Sequence, residues 1–169
     1  MKKKLNFSIF LIYFLLLTSN SFANKIAFID LDVLIQKSNL GQKISKELEN
    51  KKNINNEEIK NLGVSIKKLE DEIRKKQNIL SEAELKTEIL NLQKKIKEFN
   101  SYKVQKKNDF NQLKNDEILK FFNTIDPLIQ SFLSENSIDI LFNNKNIIIG
   151  KDSLDITDKI INMINNNLK

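Results

Sequence analysis

The sequence predicts an α+β fold, mostly helical. A long antiparallel helical hairpin, or tentacle, projects from a small β-rich oligomerisation body. Three observations predict it. Apolar residues recur at steps of three and four through a long charged stretch, residues 42–122. That rhythm slips once, at a helix-capping signature. Short runs of β-forming residues lie outside the stretch, at its two ends.

The periodic stretch comes first because the rest depends on it. Ile59, Leu62, Ile66, Leu69 and Ile73 follow a 3-4-3-4 pattern, with Leu80 seven beyond Ile73. Leu85, Ile89, Leu92, Ile96 and Phe99 repeat it. Such spacing puts one narrow apolar stripe on a helix, the seam of a coiled coil. Off the seam stand mostly Lys, Glu, Asn and Gln. A stripe this narrow needs a partner helix.

The partner is read as the other half of the same stretch. Between Leu80 and Leu85 the sequence is Ser81-Glu82-Ala83-Glu84, a capping box in which Ser81 and Glu84 satisfy each other's amides. Reversal near Glu82, with the tip near 81–84, would pair Ile73 with Leu92, Leu69 with Ile96 and Ile66 with Phe99. Arms of roughly forty residues would reach about 60 Å at the helical rise. One unbroken helix in a parallel coiled coil is the competing reading. The seam falters at Asn53, Asn55, Asn56 and Gly63, and again at Lys103 and Lys106, before recovering at Phe110 and Leu113. A bent or mobile lower arm is expected there, since glycine costs a helix about 1 kcal/mol relative to alanine.

Residues 1–23 read as a secretory signal. Lys2, Lys3 and Lys4 precede an apolar core from Leu5 to Leu17, short for a membrane span. Ser21-Phe22-Ala23 offers small residues for cleavage after Ala23; an uncleaved anchor is the alternative. No cysteine follows the core, which argues against a lipoprotein anchor. Loss of the signal lowers the net charge from +6 to +3, because its three lysines face no acids. The remaining charge is interleaved. Glu47/Lys51, Glu70/Arg74, Asp71/Lys75 and Glu72/Lys76 stand at the favourable i,i+4 spacing of a solvated helix face.

The ends build the body, assigned to residues 24–41 and 123–169. Lys25-Ile26-Ala27-Phe28-Ile29-Asp30 is a first strand, and Asp30 or Asp32 can cap a short helix through Val33 to Ile35. From Phe121 to Leu133 large apolar residues crowd together, and Pro127, the only proline, would kink the helix or begin another. Ile138 to Phe142 forms a second strand. Asn143-Asn144-Lys145-Asn146 makes a turn, and Ile147 to Gly150 forms a third strand hairpin-paired with the second. Asp155 and Asp158 bracket the start of a last amphipathic helix through Ile156, Ile160, Ile161, Ile164 and Leu168. Three short strands leave open edges, so subunit association should complete the sheet. Candidate contacts are Ile26, Phe28, Ile138, Ile140, Phe142, Ile147 and Ile149.

This layout resembles the Skp/OmpH-like family of periplasmic chaperones. The resemblance is carried by residues 25–30, Asp126-Pro127-Leu128-Ile129, Ser137 to Phe142, and above all the ending Leu154-Asp155-Ile156-Thr157-Asp158. It covers the whole mature chain, although the charged hairpin itself is unspecific. The resemblance implies a jellyfish-like homotrimer whose three tentacles enclose a cavity. It implies an ATP-independent periplasmic holdase that keeps unfolded outer-membrane proteins from aggregating. No catalytic residues and no cofactor are implied, and the absence of His and Cys fits that. The modest charge departs from the strongly basic members.

Client contacts are expected from off-seam apolar residues: Val64, Ile79, Leu90, Tyr102 and Val104. The set reads equally well as scattered surface hydrophobes. Asp152, Asp155 and Asp158 could suggest a metal site, but helix capping explains Asp155 and Asp158 more simply. The lysines at 94, 95, 103, 106 and 107 do not point to nucleic acid, given export and interleaved acids. Anionic lipid or lipopolysaccharide suits them better. The rival function is a non-catalytic envelope spacer or adaptor whose hairpin docks a fixed protein partner; an enzyme is not expected.

Overall fold

The computed structural model describes residues 25–168. The secretory signal expected at 1–23 lies outside the described residues. The order of elements is strand β1 (Ile26–Ile29), helix α1 (Leu31–Lys37), helix α2 (Asn39–Lys76), helix α3 (Glu82–Glu135), strand β2 (Ile140–Asn143) and helix α4 (Thr157–Asn167). Helices α2 and α3 form the hairpin, and β1 pairs with β2.

Local chemistry sets each boundary. Asp30 caps α1 by accepting from Val33 N at 3.0 Å. Ser38 ends α1 and caps α2, its Oγ accepting from Gly41 N at 3.2 Å. Gly41 is required by this tight corner, because a Cβ there would sit 2.1 Å from the Ile35 carbonyl oxygen. The capping box forms as the sequence reads: Ser81 N donates to Glu84 Oε2 at 2.9 Å, and Glu84 N donates to Ser81 Oγ at 3.4 Å. Helix α2 stops at Lys76, earlier than Leu80, so the reversal occupies Gln77–Ser81. There the amides of Ile79 and Leu80 both donate to the Lys76 carbonyl, a tightened last turn that satisfies one orphan acceptor.

Helix α3 continues through Pro127 to Glu135, so the proline begins no new helix. It closes in a Schellman arrangement, with Ile138 N donating to Leu133 O at 2.9 Å and Ser137 N to Ser134 O at 3.2 Å. Ser137 takes the left-handed conformation this requires, φ 52°.

The sheet differs from expectation. Strand β2 pairs parallel with β1, in register Ile26 with Ile140 and Phe28 with Phe142. A parallel pair needs a long crossover, and here the whole hairpin supplies it. The third strand expected at 147–150 does not form; the segment joins no sheet among the described residues. The turn explains why. Asn144–Asn146 is a 3-10 turn tied to the start of α1. Lys145 Nζ lies 2.6 Å from Asp32 Oδ2, and Asn144 Nδ2 lies 3.3 Å from Asp30 Oδ2. These ties hold the turn beside α1 instead of folding it back on β2. The chain then passes over Phe28, where a Cβ on Gly150 would come within 2.9 Å of the ring. Asp155 bridges to Phe28 on the free side of β1, and Ile156 N donates to Phe28 O at 3.0 Å.

One core unites both ends of the chain. Ala27, Ile29, Leu34, Ile44, Phe121, Ile125, Ile138, Ile156, Ile160, Ile161 and Ile164 are buried together. Along the arms, by contrast, few side chains are buried: Asn55 and Ile73 on α2. The arms therefore extend about 50 Å beyond the core at 1.5 Å per residue.

Candidate functional site

The ending Asp155-Ile156-Thr157-Asp158 acts as a lock. Asp155 Oδ1 accepts from Thr157 N at 2.8 Å and from Thr157 Oγ1 at 2.5 Å. Thr157 Oγ1 in turn accepts from Asp30 N at 2.9 Å. Thr157 is buried, and these part-buried bonds join the start of α4 to the end of β1. Asp30 carries its carboxyl below the usual range, first because it accepts from Val33 and then from Asn144. Asp30 and Asp155 thus have structural partners, whereas Asp158 sits in the first turn of α4 without capping it, and no set of three metal-ligating side chains gathers among the described residues.

The arms are where the sequence showed breaks, and the structure shows what occupies them. Lys106 Nζ reaches across the seam to Glu58 Oε2 at 2.7 Å, and Tyr102 donates to the same oxygen at 2.7 Å. This three-residue bridge replaces an apolar layer. The bond from Lys106, then that from Tyr102, holds the Glu58 carboxyl below its usual range; the same contact raises the Lys106 ammonium. Lys103 covers the Phe99 ring at 4.7 Å, so its misfit becomes a cation–π contact. Gly63 lies beside Phe99: a Cβ built there would stand 3.5 Å from the ring's Cζ, an ordinary contact. Asn55 is not compensated: it is 6 % exposed and its Oδ1 has no partner among the described residues. Of the four i,i+4 pairs read from the sequence, Glu70–Arg74 closes, at 3.5 Å.

Two clefts open between the arms. One of about 380 Å³ is lined by Leu62, Ser65, Ile66, Leu69, Lys95, Glu98, Phe99 and Tyr102. Another of about 200 Å³ lies nearer the core, with Lys52, Lys103, Lys106 and Lys107 around Asn55, Ile59 and Phe110. Of the candidate client contacts, Tyr102 lines the first cleft and is half-buried. Val64, Leu90 and Val104 are exposed elsewhere on the arms, and Ile79 stands at the hairpin turn, 82 % exposed. The five are spread along the hairpin and do not converge.

The body candidates divide. Ala27 and Ile29 turn into the core, so by alternation Ile26 and Phe28 occupy the opposite face with Ile140 and Phe142. Phe28 is nevertheless buried within the chain, and Ile138 joins the core. Ile26, Ile140 and Phe142 are exposed, and Ile147 is half-buried. Ile148 and Ile149 are 98 % and 91 % exposed. The outer edge of β2 is unpaired among the described residues. Ile148, which the expected body contacts left out, is the most exposed of the large apolar residues described. Its place in a run of three isoleucines was the available signal.

Comparison with known proteins places this geometry. No curated protein matches significantly. A crystal structure of a candidate outer membrane chaperone (OmpH-like) from Caulobacter crescentus shares the fold, with TM-score 0.79 at 12 % identity over 87 % of each chain. The family model for outer membrane protein (OmpH-like) matches residues 25–164. The chain belongs to the OmpH-like family.

Proposed function

We propose that this protein is an ATP-independent periplasmic holdase chaperone. It binds unfolded outer-membrane proteins in a cavity between tentacles and keeps them from aggregating. The observation that carries this reading is the arm: a charged helical hairpin extending well past the core, with a thinly packed seam and apolar residues left open. Such arms offer shallow, exchangeable contacts to an extended chain, without nucleophile or metal chemistry. The related fold, described as a candidate outer membrane chaperone, supports the same reading.

The working unit is a homotrimer. An exposed apolar face carrying Ile26, Ile140 and Phe142, together with the exposed Ile148 and Ile149 and the unpaired outer edge of β2, is costly on a lone small body. Burial of Phe28 and Ile138 inside the protomer narrows the subunit contacts to the exposed set, with Ile147 at its margin. Three hairpins set on one such body would face a common space. Val64, Ile79, Leu90, Tyr102 and Val104 are the client contacts in this reading, and cleavage after Ala23 delivers the protein to the periplasm.

The test is dilution of a urea-unfolded outer-membrane barrel into buffer with and without the protein, in the absence of ATP, followed by light scattering. Suppressed scattering near one client per three chains supports the reading. Unchanged scattering refutes it and favours a docking spacer.

A further inference from the structure

We propose that the apolar cleft between the arms is a seat for one aromatic side chain of an unfolded polypeptide. This deepens the chaperone reading above and rests on it. The cleft exists because α2 presents small residues where α3 presents large ones. Gly63 puts no side chain against Phe99 and Ser65 brings only a small hydroxyl to the lining, so α2 covers the two rings thinly, while Lys103 and Lys106 reach them from α3. Leu62, Ile66 and Leu69 complete an apolar wall around about 380 Å³, room for a large side chain.

The mouth selects the kind of guest. Lys95 and Glu98 line it, and neither has an ion-pair partner among the described residues. A free ammonium and a free carboxylate side by side match the C=O and N–H of a peptide backbone. A purely lipid guest would leave the carboxylate facing an acyl chain or repelling an anionic head. An apolar wall with two aromatic rings favours an aromatic guest, through offset or edge-to-face contact. A peptide whose backbone lies across the mouth can drop one ring into the cleft while its neighbours stay in water.

The sequence makes the test clean, because it contains no tryptophan. A Gly/Ser peptide bearing a single Trp is titrated with the mature chain, and Trp emission is read. Binding with a blue shift is expected. Ser65→Phe fills the cleft from an exposed helix position. It should weaken binding about tenfold, the loss of roughly one anchoring contact. Helical content and melting temperature should stay unchanged. Lys95→Glu, which leaves the apolar wall intact, should weaken binding more mildly. Equal affinity of the wild type and Ser65→Phe, or equal binding of a Gly/Ser peptide carrying Leu by competition, overturns the proposal. Client holding is measured alongside. Full holding without Trp-peptide binding refutes the cleft and leaves the chaperone reading standing. Trp-peptide binding lost in Ser65→Phe, with no holding by the wild type, supports the cleft and refutes that reading.

Discussion

Replacing Asn55 with leucine should stabilise the protein. Asn55 is buried in the seam at 6 % exposure, and its carbonyl oxygen has no partner. A buried polar group left unpaired costs about 1–3 kcal/mol. Leucine removes that cost and adds apolar burial worth about 1–2 kcal/mol. Imperfect fit among the four surrounding lysines takes some of this back, so the net gain is about 2 kcal/mol. For a chain of this size each kcal/mol moves the melting temperature by about 2–4 °C. The assay is thermal unfolding by circular dichroism at fixed protein concentration, because assembly shifts apparent stability. Asn55→Leu should melt about 4–8 °C higher at equal helicity. Asn55→Ala, which removes the amide without refilling the space, should stay within about 1 kcal/mol of the wild type. A lower melting temperature for Asn55→Leu at native helicity would show that the amide is satisfied, and the reasoning about the seam would fail.

Four other outcomes follow from the geometry. Gly41→Ala should cost about 3 kcal/mol or more in denaturant unfolding, since its Cβ would meet backbone at 2.1 Å. Thr157→Val should cost about 1–3 kcal/mol by the same assay, because Asp30 N and Asp155 lose a buried partner. Ser137→Gly should gain about 0.5–1 kcal/mol by relieving its left-handed backbone. Glu58 is held below its usual range, so its contribution is present above the unfolded value near 4.3 and lost as pH falls through the lower folded value. The melting difference between wild type and Glu58→Gln should therefore be larger at pH 6 than at pH 3.

The hairpin was legible because two independent signals coincided. The 3-4 apolar rhythm required a partner helix, and the Ser81/Glu84 capping box marked where the second helix begins. Both are local, and both formed. What compensates the seam breaks was not legible. Glu58, Tyr102 and Lys106 are distant in sequence, and their bridge depends on the register between the arms, which apolar spacing alone leaves loose. The third strand failed for a similar reason. Ile147 to Ile149 has strand propensity, but Lys145 and Asn144 bind Asp32 and Asp30 more than a hundred residues earlier. The ending Asp155 to Asp158 pointed correctly to the family, and the structure supplies its physical sense: a lock built on the buried Thr157 between the two ends of the chain.

The central claim is a trimer that shelters an unfolded barrel. Native mass spectrometry of residues 24–169, alone and after dilution with a urea-unfolded outer-membrane barrel, tests it most directly. A trimer that takes up one barrel chain and keeps it soluble is the predicted result. A trimer that ignores the client contradicts the holdase and leaves a spacer. A monomer or dimer contradicts the assembly and, with it, the shared cavity.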